Sequence, residues 1–181
     1  MNIVSEQKAL FQPYHKPFFV QSMGSVQLNI SDATILGHRL EGNEVVILNS
    51  LWEFCRENKQ VEKVVYLHDK GSFHDHERNR LLRRFLTAGA LSEECASVDS
   101  DTCNVCSSRF SPLPHPHTSG NMWLARCDYI RQLKDPFEFE KEMNSFHNNC
   151  RGRKDRQNVP CIGRGRFSAE HWVYSHPSVK V

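Results

Sequence analysis

Lys63-Val64-Val65-Tyr66-Leu67-His68-Asp69-Lys70-Gly71 sets a short apolar run against a polar turn. Lys63 to Leu67, β-branched and aromatic, reads as a buried strand, and the turn after it ends the strand abruptly. Upstream, Asn43 to Asn58 reads as a helix, because Val45, Leu48, Trp52 and Cys55 recur at helical spacing and Asn43 suits an N-cap. Downstream, a second helix is expected from Asp75 or His76 to Ala90. Leu81, Leu82, Phe85 and Leu86 should face inward, with Arg78, Arg80, Arg83 and Arg84 in solvent. Helix, strand, polar loop and helix in that order form the repeating unit of an open α/β sheet, where ligands bind beyond the carboxyl ends of strands. His68, Asp69 and Lys70 therefore stand where chemistry is expected; the plain alternative is a solvated loop.

The composition agrees with one globular domain. The chain has 181 residues, 39% hydrophobic and 24% charged, enough to bury a core and too short for two large domains. A net charge of +2 is too mild to argue for nucleic acid, and no such partner is expected. No apolar run reaches the roughly 18 residues that a membrane helix needs. Met1 to Lys8 lacks the apolar core of a signal peptide, so the compartment is left open between the cytoplasm and, if a leader is missing, the Golgi lumen. The seven cysteines fit either reduced thiols or a partly oxidised lumenal domain.

Outside the central unit the chain is less regular. Residues 1–42 read as an irregular amino-terminal segment, with strands at Phe18 to Val20 and Val26 to Ile30 joined at Gly24 as a hairpin or meander. Residues 97–118 read as a Cys- and Pro-rich loop, because Pro112, Pro114 and Pro116 each push the preceding residue out of the helical region. Asn121 to Ala125 reads as a strand, Asp128 to Leu133 and Pro136 to His147 as helices, and Ser168 as the cap of a last short helix. Between them, Cys150 to Arg166 is basic, with Arg151, Arg153, Lys154, Arg156, Arg164 and Arg166 set against Asp155.

Four groups of residues could carry chemistry. His115 to Arg126 combines imidazoles, hydroxyls, Gly120, Asn121 and Trp123 in one turn and strand. That is how a ligand pocket reads along a chain, although a loop entering a core strand reads the same way. Asp99 and Asp101 match the Asp-x-Asp spacing by which two carboxylates share a divalent cation such as Mn²⁺ or Mg²⁺. Cys103 and Cys106, with Cys95, His115 and His117, offer thiolates and imidazoles suited to zinc, the alternative metal; a disulfide or free thiols would use the same cysteines. Arg166, Glu170 and Trp172 bring together a guanidinium fit for diphosphate, a carboxylate fit for general-base work and an indole able to stack on a sugar or simply to fill core.

Three of these segments resemble glycosyltransferase-like proteins that share the pattern His-x-Lys-Gly, then Ser-Gly-Asn-[Phe/Met]-Trp-[Trp/Leu]-Ala with Tyr-[Ile/Leu] after it, then Arg-[Phe/Tyr]-x-x-Glu-x-Trp. Here these are His68-Asp69-Lys70-Gly71, Ser119-Gly120-Asn121-Met122-Trp123-Leu124-Ala125 with Tyr129-Ile130, and Arg166-Phe167-Ser168-Ala169-Glu170-His171-Trp172. The resemblance implies a single GT-A-like α/β domain over 43–181, with a mixed, mainly parallel sheet flanked by helices. It implies transfer of a sugar from a nucleotide donor to a glycan or other hydroxyl acceptor. His68 and Lys70 would face the donor, Asn121 and Trp123 would line the acceptor side, with Gly120 also in the substrate site, and Glu170 would be the base or a carboxylate that orients the acceptor. A GT-A domain begins with a nucleotide-binding βαβ unit that 1–42 is too short to supply, so that segment is expected to be its remnant and the domain partial. The competing expectation is a non-catalytic, zinc-stabilised interaction or carbohydrate-binding module.

Overall fold

The structure, a computed structural model, describes residues 3–11, 16–69, 72, 76–99, 101–113, 115–151 and 168–181. Lys70 and Arg166 lie outside the described residues, as does most of the basic segment before Ser168. The elements run α1 (Ile3–Phe11), β1 (Phe19–Met23), β2 (Thr34–Arg39), α2 (Glu44–Glu57), β3 (Lys63–Tyr66), α3 (Glu77–Ala90) and α4 (Glu93–Ala96). After them come β4 (Val105–Cys106), β5 (Phe110–Ser111), β6 (His117–Thr118), β7 (Trp123–Arg126), α5 (Cys127–Ile130), α6 (Pro136–Arg151) and α7 (Ala169–Trp172). The expected α2–β3–α3 unit is present. Asn43 caps α2 by accepting the Val45 N–H, 3.1 Å away.

The chain is a mixed helix-and-strand domain, but its sheets are small and partly antiparallel. The three-stranded sheet has the order β3-β7-β4, with β7 antiparallel to both neighbours. β3 and β4 therefore point the same way, as the two strands of a crossover through α3 do. β7 slots between them running backwards, because the chain reaches it through the β5–β6 pair rather than through a second crossover helix. This corrects the expectation of a mainly parallel sheet. Its consequence is geometric: Tyr66, the last residue of β3, sits opposite Trp123, the first of β7. The loop leaving β3 at His68 is thereby brought beside the turn that enters β7 at Gly120.

The amino-terminal segment is more ordered than its sequence suggests. Residues 26–30 are not a strand, and the hairpin is replaced by a parallel pair, β1 with β2. Gly24, at φ +115°, turns the chain out of β1, and residues 24–33 carry it back to β1's own start. Thr34 N–H donates to Phe18 O at 2.8 Å to open the ladder. Helix α1, which no apolar periodicity announces, lies across α3 and sends in two polar side chains, Glu6 and Gln7.

α3 keeps part of its expected face, with Leu86 buried and Arg78, Arg80 and Arg84 exposed, but α1 turns the rest of it. Arg83 is buried, with 4% of its surface exposed, while Leu81 and Phe85 are 57% and 55% exposed. The buried guanidinium reaches Glu6 at 3.3 Å, and Arg84 bonds the same carboxylate from the surface. A paired charge can occupy an inward position that hydropathy alone would deny it. Gly89 does not break α3. A Cβ there would lie 1.5 Å from Ser108 Oγ, so the glycine admits the loop packed against the helix.

The core gathers Leu48 and Cys55 from α2, Tyr66 from β3, Trp123 and Ala125 from β7, Tyr129 and Ile130 from α5, and Trp172 from α7. Cys55 and Cys127 are joined by a disulfide inside it, and Cys95 and Cys106 form a second one between α4 and β4. No helix among the described residues is long and apolar enough to cross a membrane.

Candidate active site

Ser119 and Gly120 form the corner of a turn in which Asn121 N–H donates to Thr118 O at 2.9 Å. Gly120 stands at φ +90° and Asn121 at φ +42°, both left-handed. Glycine is the ordinary choice at the third position of such a type II turn, and asparagine tolerates the left-handed region better than most residues. A side chain at Gly120 is also barred by packing, since a Cβ there would lie 2.5 Å from Leu86 Cδ1.

The turn connects three separate parts of the chain. Gly120 N–H donates to Glu170 Oε1 at 2.9 Å, and Gly120 O accepts from His68 Nε2 at 2.6 Å. A carbonyl can only accept, so His68 carries a proton on Nε2. Asn121 is clamped at both ends of its amide. Its Oδ1 accepts from Trp123 Nε1 at 2.8 Å, and its Nδ2 donates to Glu44 Oε1 at 2.9 Å. Glu44 Oε1 also accepts the Tyr66 hydroxyl at 2.9 Å and lies 3.9 Å from His68 Nε2. Burial first, and the Glu44 carboxylate second, hold the Tyr66 hydroxyl well above its ordinary pKa, so it remains a donor.

His68 and Glu170 are thus hydrogen-bonded through Gly120, and Trp123 to Glu44 through Asn121, two sets that adjoin at the Gly120–Asn121 turn. Among these residues Trp123 and Asn121 are fully buried, whereas the His68 and Glu44 side chains keep 20% and 17% of their surface. The water-facing edge is therefore His68, Glu44 and Glu170, and the indole behind them holds Asn121. Trp172 is a core residue: it is buried, its Nε1 donates to Lys134 O at 2.9 Å, and its ring lies 6.3 Å from that of Trp123.

The expected metal ligands separate. Asp99 Oδ1 accepts the N–H groups of Asp101 and Thr102 and the Thr102 hydroxyl, which ties up that oxygen within its own turn. Those bonds hold the Asp99 carboxyl below its ordinary pKa, the Thr102 N–H contributing most. A carboxylate spent on its own loop fits poorly as half of a shared cation site. Cys106 is bonded to Cys95, which removes its thiolate from the expected zinc set, and Cys103 is free and part-buried. His115 and His117 do not meet these sulfurs in any group of three or more metal-ligating side chains, and the described residues contain no such group. His117 lies instead beside His171, with ring centroids 5.3 Å apart.

Glu44, Tyr66 and Gln7 belong to the arrangement although no sequence motif points to them. Gln7 is buried and donates through Nε2 to His68 O at 2.9 Å. Glu44 reads locally as an ordinary acid in a first helical turn, favoured there by the helix dipole. Its one distinguishing signal is that α2 leads directly into a strand ending in a tyrosine.

Comparison with curated proteins finds no match. Comparison with solved structures finds none either. A family model, the Domain of unknown function (DUF8361), matches residues 1–181, and the chain belongs to that family.

Proposed function

We propose that this domain is a glycosyltransferase-like sugar-transfer module, with Glu170 as the base that takes the proton of an acceptor hydroxyl. The observation that carries the reading is the Gly120 backbone, which accepts from His68 and donates to Glu170 and so joins all three motif segments at one turn. The Gly120 N–H holds Glu170 through Oε1, leaving Oε2 as the oxygen for a hydroxyl. His68 presents a ring with its proton fixed on Nε2, beside the Glu44 carboxylate. A carboxylate fixed by a backbone N–H, at the same turn as an imidazole backed by a second carboxylate, suits proton removal and the steadying of developing charge at a sugar centre.

In its finer form the reading takes a nucleotide sugar as donor and a glycan or other hydroxyl compound as acceptor, on a GT-A-type domain. Asp99 and Asp101 receive no step, because Asp99 is engaged in its own turn. The test is incubation of the full chain with a panel of nucleotide sugars, with and without Mn²⁺, while following release of the nucleotide. Release with at least one donor supports the reading, and absence of both release and saturable donor binding across the panel removes it. Binding of free glycans without nucleotide chemistry would favour the non-catalytic carbohydrate-binding alternative.

A further inference from the structure

Beside this site, two imidazoles from different elements face one another in a form suited to metal. His117 lies in β6, and its Nδ1 is 2.8 Å from His115 O. His171 lies in α7, and its Nδ1 is 3.0 Å from Pro116 O. Main-chain carbonyls only accept, so both rings carry their proton on Nδ1 and leave Nε2 with its lone pair. A ligand histidine is held in the same way, with one ring nitrogen donating to a carbonyl so that the other is oriented and made more basic.

The spacing agrees. With metal–nitrogen bonds of about 2.1 Å, two imidazoles on one tetrahedral ion place their ring centroids about 5 Å apart. The observed separation is 5.3 Å, with the ring planes at 46°. Both rings are part-exposed, so an ion can enter. Burial, with a smaller push from His117 and His115, holds His171 below the ordinary imidazole pKa, against the opposing pull of the Pro116 carbonyl and Glu170.

We propose that His117 and His171 form a two-imidazole site for a divalent transition metal of the copper, nickel or zinc type, with water completing the coordination. No third protein ligand is assigned, since no group of three converges among the described residues. Imidazole selects these ions over Mg²⁺, and Cu²⁺ should bind tightest. The ion would fasten β6, which leads into the Gly120 turn, to α7, which carries Glu170. Neither the site nor its test depends on sugar transfer.

The experiment is titration of the metal-stripped full chain with Cu²⁺, Ni²⁺, Zn²⁺ and Mg²⁺ by calorimetry in a non-coordinating buffer. The proteins compared are wild type, His117→Gln, His171→Gln and Cys103→Ser, with circular dichroism as a check on folding. One Cu²⁺ per chain, at least tenfold weaker binding in each histidine variant, an unchanged Cys103→Ser protein and no response to Mg²⁺ support the proposal. Absence of stoichiometric binding, or affinity that survives both histidine substitutions or is lost in Cys103→Ser, overturns it. Should the histidine variants unfold, electron paramagnetic resonance of the wild-type Cu²⁺ complex decides instead. Hyperfine coupling to two imidazole nitrogens upholds the site, and an all-oxygen or thiolate signature refutes it.

Discussion

Gly120 and Glu170 meet across the middle of the site: the glycine N–H donates to the carboxylate at 2.9 Å. A backbone donor cannot be moved by a rotamer change, so the carboxylate's position is tied to the turn that makes Gly120 available. That turn needs a residue at φ +90° with no side chain toward Leu86.

Gly120→Ala should therefore destabilise the protein twice over, through the left-handed backbone and through the clash with Leu86, by about 2–4 kcal/mol. Gly24→Ala is the matched control. Its φ is +115° and a Cβ there meets nothing within 4 Å, so it keeps only the backbone cost, about 1–2 kcal/mol. Urea denaturation of both variants measures the difference. Equal losses would remove the packing role given to Gly120.

Helix α1 is held by charge, and its attachment should depend on pH. The hydrogen bond from Arg84, opposed by desolvation and helped by Arg83, holds the Glu6 carboxyl below its ordinary pKa. The folded state then takes up that proton less readily than the unfolded one. Stability is complete above the unfolded carboxylate pKa and is lost as pH falls through the lower folded value. Glu6→Gln should flatten that acid limb of the stability–pH curve. Arg83→Ala should cost about 3 kcal/mol, because it leaves a part-buried carboxylate without its inner partner; the exposed Arg80→Ala should cost less than about 0.5 kcal/mol.

The two disulfides among the described residues should contribute unequally. Cys55–Cys127 closes a separation of 72 residues and Cys95–Cys106 one of 11. Loop-closure entropy assigns the first about 4 kcal/mol and the second about 3 kcal/mol. Paired Cys→Ala substitutions, compared by denaturant midpoint, check the order. Cys55 and Cys127 are both fully buried, so mild reductant should open Cys95–Cys106 first, as differential alkylation and mass spectrometry would record.

The α2–β3–α3 core is legible in the sequence because each element announces itself locally, through the Val45–Cys55 periodicity, the Asn43 cap and the break at His68. The motif resemblance groups His68, Asn121 and Glu170, and in the structure His68 and Glu170 both bond the Gly120 backbone, next to Asn121. The hidden part is tertiary. The parallel β1–β2 pair has no local signature, since pairing direction depends on where residues 24–33 carry the chain. Arg83 points inward only because Glu6 comes to meet it. Cysteine connectivity follows from which elements pack together, not from spacing. Glu44 looks like any acid opening a helix until Tyr66 and Asn121 are set beside it.

Glu44 has its own test. Glu44→Gln keeps an oxygen for Tyr66 and Asn121 to donate to but removes the charge beside His68, whereas Glu44→Ala strands two buried donors. The alanine variant should lose about 2–4 kcal/mol of stability and the glutamine variant about 1 kcal/mol or less. Thermal or urea unfolding compares them, and an alanine variant as stable as wild type would show that these two hydrogen bonds contribute nothing to the fold.

The proposed role of Glu170 as the base, the centre of the account, is tested most directly by Glu170→Gln. The amide oxygen can still accept the Gly120 N–H, so the turn and the fold should persist, while the proposed base is gone. With the donor that wild type uses best, nucleotide release in the variant should fall by at least about a hundredfold, with unchanged circular dichroism and donor affinity. Release at the wild-type rate would contradict the account by removing Glu170 as the base.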